Sequence, residues 1–160
     1  MRPFGDRISS VNSGDCIPRL PASGGEPDRR LVLDVIFTNL RWTAEALNWT
    51  VHLASGLEAR VKLIHAQQVP WAFPIERPPV DIAFSKSQLV GLAHRAAHHE
   101  IEVQVQLYLC RDRIKALSEV LKPPSLVILG GKDRRWPTSE SKLAKLLAAK
   151  GHRVIFLSAK

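Results

Sequence analysis

Apolar and polar residues along the chain follow two periods, one typical of strands and one typical of helices. Strand-like apolar runs occur at 31–37, 60–67, 101–109, 126–129 and 154–157. Between them, apolar residues recur at helical spacing at 42–54, 85–99, 114–121 and 138–151. This alternation of strands and helices predicts an α/β fold: a single doubly wound, five-stranded parallel sheet with helices on both faces and right-handed crossovers.

Local signals predict where the helices begin and end. Gly56 is expected to end the first helix, Ser85 to cap the second, and Gly151 to end the fourth. Residues 69–81 contain four prolines and predict a surface loop. The run from 101 to 109 alternates strictly between apolar and polar residues, which predicts a strand near the sheet edge with one face partly in contact with water.

The first 28 residues differ in composition from the rest of the chain. They are rich in Gly, Pro, Ser and Asp and show no apolar period, so they cannot bury enough surface to offset the entropy of ordering. We therefore predict a flexible arm over residues 1–28 and one α/β domain over residues 29–160.

No apolar run is long enough to span a membrane or to act as a secretion signal. Cys16 and Cys110 lack metal-ligand spacing, and together these features predict a cytoplasmic protein without membrane insertion.

The chain is basic, with 23 Lys and Arg against 15 Asp and Glu and a formal charge of +8. This balance favours acidic partners such as phosphates, although it also serves solubility. The basic residues form no recognition-helix pattern and are not interleaved with exposed strand aromatics, which argues against a nucleic-acid surface.

Known catalytic and metal-binding patterns are missing from the sequence. His94 and His98 are one helical turn apart, but no glutamate follows His94 as in zinc proteases, and a polar surface patch explains the pair equally simply. The glycine-rich fingerprint of dinucleotide-binding folds and the nucleophile motif of α/β-hydrolases are absent. A phosphate-accepting receiver domain would need acids where Thr38, Asn39 and Cys110 stand. We therefore predict no catalytic residues and no metal site.

A basic loop is the strongest candidate for ligand binding. The stretch SLVILGGKDRRWPTSES at 125–141 predicts a buried strand that stops at a glycine pair, a loop with three cations, and a helix capped by Thr138. Ligands of parallel α/β sheets collect at such strand ends, where helix amides and cations attract anions. The alternative is a solvated loop in which Trp136 and Pro137 pack onto the helix. The predicted anion- or nucleotide-binding residues are Thr38, Asn39, Gly130, Gly131, Lys132, Arg134, Arg135, Thr138 and Ser139.

Over roughly residues 31 to 158 the chain resembles a universal stress protein. The resemblance lies in the first strand and helix (VIFTNLRWTAEALNWTVHLASGLEARVKLIHA), in the helix before IEVQVQL, and in LVILGG leading to a final VIFL. It implies a five-stranded parallel sheet, a homodimer often formed through the last strand, and a regulatory or stress-response role. Some members of that family bind ATP, so the resemblance also implies ATP as a candidate ligand.

The sequence departs from the ATP-binding members of that family at two places. Thr38 stands where they carry an aspartate, and the glycine spacing after the fourth strand is not kept, since Asp133 and Arg134 occupy the third positions after Gly130 and Gly131. Side chains there would crowd the path of a phosphate chain. We therefore predict a non-enzymatic regulatory protein with no certain cofactor that binds a phosphate-bearing ligand weakly and in a salt-sensitive way, with ATP disfavoured. Two alternatives remain open: an ATP-binding or ATP-hydrolysing protein, and an interaction module for a transporter or sensor.

Overall fold

The computed structural model describes residues 9–11, 31–96, 101–132 and 136–159 of the 160-residue chain. Strands and helices alternate along the chain from the second strand onward, because the apolar runs are short and separated by helical spacing. The elements in chain order are β1 (Ser9–Val11), β2 (Val32–Ile36), α1 (Leu40–Leu57), β3 (Arg60–Gln68), α2 (Ile82–Ala96), β4 (Val103–Cys110), α3 (Arg113–Val120), β5 (Leu126–Lys132), α4 (Ser139–Ala149) and β6 (Arg153–Ala159).

The strands form one sheet in the order β1-β4-β3-β2-β5-β6. Strands β2 to β6 are parallel, which confirms the predicted five-stranded doubly wound sheet. In the register, Ile36 of β2 lies opposite Ile64 of β3 on one side and opposite Leu129 of β5 on the other. The chain therefore winds outward from β2 in one direction to β4, and then crosses back to build β5 and β6 on the opposite side.

The described part of the predicted arm contains one strand that the sequence pattern did not reveal. Strand β1 pairs antiparallel with β4, with Ser9 opposite Leu109 and Val11 opposite Leu107. Three residues that include two serines carry no apolar period, so this strand depends on the edge that β4 offers rather than on its own sequence. The other residues predicted as an arm, Cys16 among them, lie outside the described residues.

Two apolar layers hold the helices against the two faces of the sheet. On one face, α1 and α2 pack through residues such as Leu47, Val51 and Leu89. On the other face, α3 and α4 pack through residues such as Leu117 and Leu147. The alternation predicted for β4 is confirmed, since Val105, Leu107 and Leu109 are buried, whereas Gln106 and Tyr108 are partly exposed and Gln104 is exposed. Within the described residues, no helix is both long and apolar enough to cross a membrane.

Two predicted helix boundaries are wrong. Helix α1 continues through Gly56 to Leu57, and the left-handed residue at its end is Glu58, with φ of 50°. Helix α2 begins at Ile82, so Ser85 is a buried residue within its first turn, and the side chain of Asp81 accepts a hydrogen bond from the Ala83 amide instead. Gly151 does follow α4 with a positive φ of 94°, as predicted.

Candidate functional site

The candidate site lies at the carboxyl ends of β2 and β5, where the winding direction of the sheet reverses. In open α/β sheets the two connections diverge at this point and leave a crevice. Thr38 and Asn39 follow β2, while Lys132 is the last residue of β5. Thr138 and Ser139 begin α4 on the far side of the loop that leaves β5. The loop residues Arg134 and Arg135 fall outside the described residues.

Thr38 joins the two strands at this crevice. Its hydroxyl donates a hydrogen bond of 2.9 Å to the carbonyl oxygen of Gly130, and its amide donates one of 3.1 Å to the Thr43 hydroxyl. The hydroxyl hydrogen is therefore used within the fold. The Thr38 side chain thus connects β2 to β5.

Asn39 and Thr138 cap the two helices that flank the crevice. The Asn39 side chain accepts a hydrogen bond of 2.9 Å from the Trp42 amide at the start of α1. The Thr138 hydroxyl accepts one of 3.2 Å from the Ser141 amide at the start of α4, as its predicted capping role requires. Each cap satisfies one amide of its first helical turn and leaves others of that turn free to face a ligand.

The glycine pair lies inside β5, so the prediction that the strand stops there is wrong. Gly130 and Gly131 continue the pairing with β6. A Cβ atom at Gly130 would collide with the carbonyl oxygen of Trp42, and a Cβ at Gly131 would lie 2.7 Å from the Phe156 ring. Both glycines therefore allow close packing of the protein's own backbone and side chains.

Arg113, which the sequence analysis did not single out, reaches the same end of the sheet from α3. Its guanidinium donates a hydrogen bond of 2.9 Å to the carbonyl oxygen of Phe37, the residue after β2. Its Nε is buried and has no hydrogen-bond partner among the described residues. Burial lowers the pKa of Arg113, whereas the negative charge of Glu140 in the first turn of α4 raises it. A buried donor without a partner is rare in folded proteins and calls for a water or a ligand.

His65 of β3 lies beside this arginine. Its ring is 4.4 Å from the Phe37 ring, centroid to centroid, and its buried Nδ1 lacks a hydrogen-bond partner among the described residues. Burial and, to a smaller extent, the positive charge of Arg113 lower the pKa of His65 from 6.5 to about 4. At neutral pH the cluster therefore contains a neutral imidazole, a guanidinium and the Glu140 carboxylate.

The residues of this cluster are brought together by the order of the strands in the sheet, not by nearness along the chain. Phe37, His65, Arg113 and Glu140 each belong to or follow a different strand, from β2 to β5, so no local motif connects them. The only sequence signals are a histidine that interrupts the apolar pattern of the second predicted strand and an arginine at the start of the third predicted helix. Arg113 follows the carboxyl end of β4, which is the criterion that would have found it, whereas His65 lies within β3.

The described residues contain no group of three side chains suited to hold a metal ion. His94 is exposed near the end of α2, and the histidine predicted to share its face lies outside the described part of the chain. Glu140 is the acidic residue of this cluster, and its negative charge raises the pKa of Arg113. Organic or inorganic anions are thus the ligands that the cationic groups at this crevice suit best.

The place between β2 and β5 where the winding direction of the sheet reverses is its switch point. The strand order, together with the polar crevice at this switch point, defines a doubly wound α/β protein. No protein-family model matches the sequence, and no curated protein matches it. Solved structures do match, and their shared fold is that of the universal stress proteins. The universal stress protein of Archaeoglobus fulgidus is 12% identical with a TM-score of 0.56, and the match covers 81% of this chain and 98% of that chain.

Two further structures agree with this assignment of the fold. A protein of the universal stress protein family from Burkholderia pseudomallei is 15% identical with a TM-score of 0.55, covering 84% of this chain and 100% of that chain. The Archaeoglobus fulgidus protein in complex with dAMP is 13% identical with a TM-score of 0.55, covering 81% of this chain and 98% of that chain. This chain therefore has the universal stress protein fold.

Proposed function

We propose that this protein is a non-enzymatic regulatory protein of the universal stress protein type that binds a phosphate-bearing ligand at the switch point of its sheet. The observation that carries the proposal is the buried, unpartnered Nε of Arg113 at the carboxyl end of β2. Lys132 at the end of β5 and the first amides of α4 supply further positive potential at the same end of the sheet. Arg134 and Arg135 would add two cations to it.

A short phosphate group suits this crevice better than a triphosphate chain. The Thr38 hydroxyl is already bonded to Gly130, and the first turn of α1 covers that glycine. Neither group is therefore free to receive an extended phosphate chain, which needs close backbone approach. Since a neighbour of the same fold is in complex with dAMP, nucleoside monophosphates are the first ligands to test, with ATP as the competing hypothesis.

The test is a thermal-shift screen of nucleoside monophosphates, ATP and sugar phosphates, followed by titration of any ligand that raises the melting temperature. We expect salt-sensitive binding that weakens about tenfold or more in the Arg134→Ala, Arg135→Ala double variant, because a charge-assisted hydrogen bond contributes roughly 1.5 to 3 kcal/mol. Lys145→Ala, an exposed cation of α4 outside the crevice, is the matched control. Phosphate release from ATP that stops in Lys132→Ala would overturn the proposal in favour of an ATP-hydrolysing protein.

We also propose that the cytoplasmic form is a homodimer joined through β6. This strand forms one edge of the sheet and leaves backbone groups available for a partner strand. Next to it, Trp49 of α1 is 39% exposed and lines a shallow hollow together with Trp42 and Leu157. A second copy would cover this apolar surface and pair the open strand edge.

A further inference from the structure

A second concave surface lies between α1 and α2, on the outside of the helical layer. This groove has a volume of about 590 Å³ and is bounded by Leu40 and Ala44 of the first α1 turns and by Phe84, Ser87 and Gly91 of α2. Among the described residues, neither Lys132 nor residues 136–138 of the β5–α4 loop line it. The groove is therefore a surface separate from the crevice at the switch point.

The floor of the groove is made of small residues. Gly91 lies in the middle of α2, where glycine is less favourable than alanine. No atom of the described structure comes within 4 Å of a Cβ built on it, in contrast to Gly130 and Gly131, whose Cβ positions are filled by the protein's own atoms. With Ala44 and Ser87 beside it, Gly91 keeps the backbone of α2 open to close approach from outside.

The rim of the groove is apolar and exposed. Leu40 is 46% exposed and Phe84 is 56% exposed. Phe84, Ser87, Gly91 and Arg95 follow one another along α2 at spacings of three and four residues, so they form one stripe about 16 Å long at 1.5 Å per residue. That length matches about three turns of a helix laid along the stripe, and a surface open along its length encloses a small ligand poorly.

The charged residues at the groove have one sign. Arg41 and Arg95 line it, and α2 contains Lys86 but no Asp or Glu. Glu45 lies 4.0 Å from Arg41, but both side chains are exposed, so this pair neutralises little of the charge. Two copies of this chain meeting groove to groove would bring like charges together. An acidic partner would instead be attracted to the groove.

We propose that the groove between α1 and α2 binds an acidic amphipathic helix of a partner protein. Leucine-like side chains of that helix would lie between Leu40 and Phe84, and its backbone would approach Gly91. Its carboxylates would face Arg41 and Arg95. This inference does not depend on the ligand proposed for the switch point, because the two surfaces share none of the residues that the structure describes.

The probe is a synthetic helical peptide with leucines on one face and glutamates on the other, titrated with the full-length protein by fluorescence anisotropy. A peptide of the same composition in scrambled order and one with lysines in place of the glutamates are the controls. Gly91→Leu should weaken binding about tenfold or more because it fills the floor, and Arg95→Glu should do the same by charge. Gly56→Leu is the matched control, since its Cβ also has open space but lies outside the groove.

Thermal melts show whether Gly91→Leu is folded, and Arg95→Glu tests the same surface without filling it. Equal binding of the scrambled peptide, or full binding by folded Gly91→Leu, would overturn the proposal. Binding of sodium dodecanoate that Gly91→Leu abolishes, with no binding of the acidic helix, would also overturn it and assign the groove to a small amphiphile.

Discussion

The hydroxyl of Thr38 donates a 2.9 Å hydrogen bond to the carbonyl oxygen of Gly130 and so joins the ends of β2 and β5. These two residues are 92 positions apart in the chain. The bond connects the two halves of the doubly wound sheet at the point where they diverge. The hydroxyl hydrogen of Thr38 is therefore not available to a ligand.

Replacing Thr38 by valine should lower the free energy of unfolding by about 1 kcal/mol, because the partly buried Gly130 carbonyl loses its side-chain donor. Urea unfolding measures the difference. Thr50→Val is the matched control: the Thr50 hydroxyl donates to the Ala46 carbonyl, which lies within the same helix and is also suited to an intrahelical amide. A cost for Thr38→Val no larger than that of Thr50→Val would show that the link between β2 and β5 contributes little.

Gly130→Ala should destabilise the protein by roughly 1 to 3 kcal/mol, because its new methyl group collides with the Trp42 backbone and must push α1 away from the sheet. Gly91→Ala should stabilise it by roughly 0.5 to 1 kcal/mol, since the space there is open and alanine favours the helix. Both values come from the same urea titration. Equal effects of the two substitutions would contradict the close packing of α1 on β5.

His65 and Asp34 should give opposite contributions to the pH dependence of stability. Burial and, to a smaller extent, the charge of Arg113 lower the pKa of His65 from 6.5 to about 4. Between these two pH values the unfolded chain binds the proton more tightly than the folded chain, so the contribution of His65 to stability is lost as pH falls. Burial raises the pKa of Asp34 from 3.8 to about 6, although the charge of Lys62 lowers it in part. Between pH 3.8 and about pH 6 the folded chain binds the Asp34 proton more tightly than the unfolded chain, so the contribution of Asp34 to stability is lost as pH rises.

The two contributions nearly cancel between about pH 4 and pH 6, and single substitutions should separate them. Relative to the unsubstituted protein, His65→Gln should gain stability on acidification and Asp34→Asn should lose it, each by up to about 1.4 kcal/mol per pH unit. Urea unfolding at a series of pH values gives the difference curves. Difference curves of the same sign would mean that one of the two burial effects is assigned wrongly.

Trp49→Glu should dissociate the proposed dimer, because it places a charge on the apolar surface beside β6. Leu146→Glu, a similarly exposed residue of α4, should leave the dimer intact. Sedimentation equilibrium of the three proteins compares their masses directly. A monomer for the unsubstituted protein at about 50 µM, well above the Kd of a stable homodimer, would contradict assembly through β6.

The layout of the sheet was predictable because each strand and helix carries its own period, as in the alternation of Val105, Leu107 and Leu109 in β4. Precise ends were less predictable. Gly56 is a plausible stop, yet α1 continues to Leu57 because Glu58 adopts the left-handed conformation instead. Strand β1 depends on a neighbouring edge, which a three-residue sequence does not encode.

The candidate site was predictable in position but not in its members. The glycine pair after a buried run was expected to end the strand, but Gly130 and Gly131 lie within β5 and pack against α1 and β6. His65 and Arg113 were missed because their approach to Phe37 is produced by the order of the strands in space. Residues that are brought together across a crossover leave no spacing signal in the sequence.

The most direct test of the central claim is a ¹H–¹⁵N NMR titration with dAMP, which observes both backbone amides and arginine Nε–H groups. The binding proposal predicts that the Arg113 Nε–H signal moves downfield, together with shifts of the Lys132 and Ser139 amides, because the unpartnered donor and the strand and helix ends receive the phosphate. Shifts that leave Arg113 unchanged and appear instead around Gly91 and Phe84 would contradict a phosphate site at the switch point.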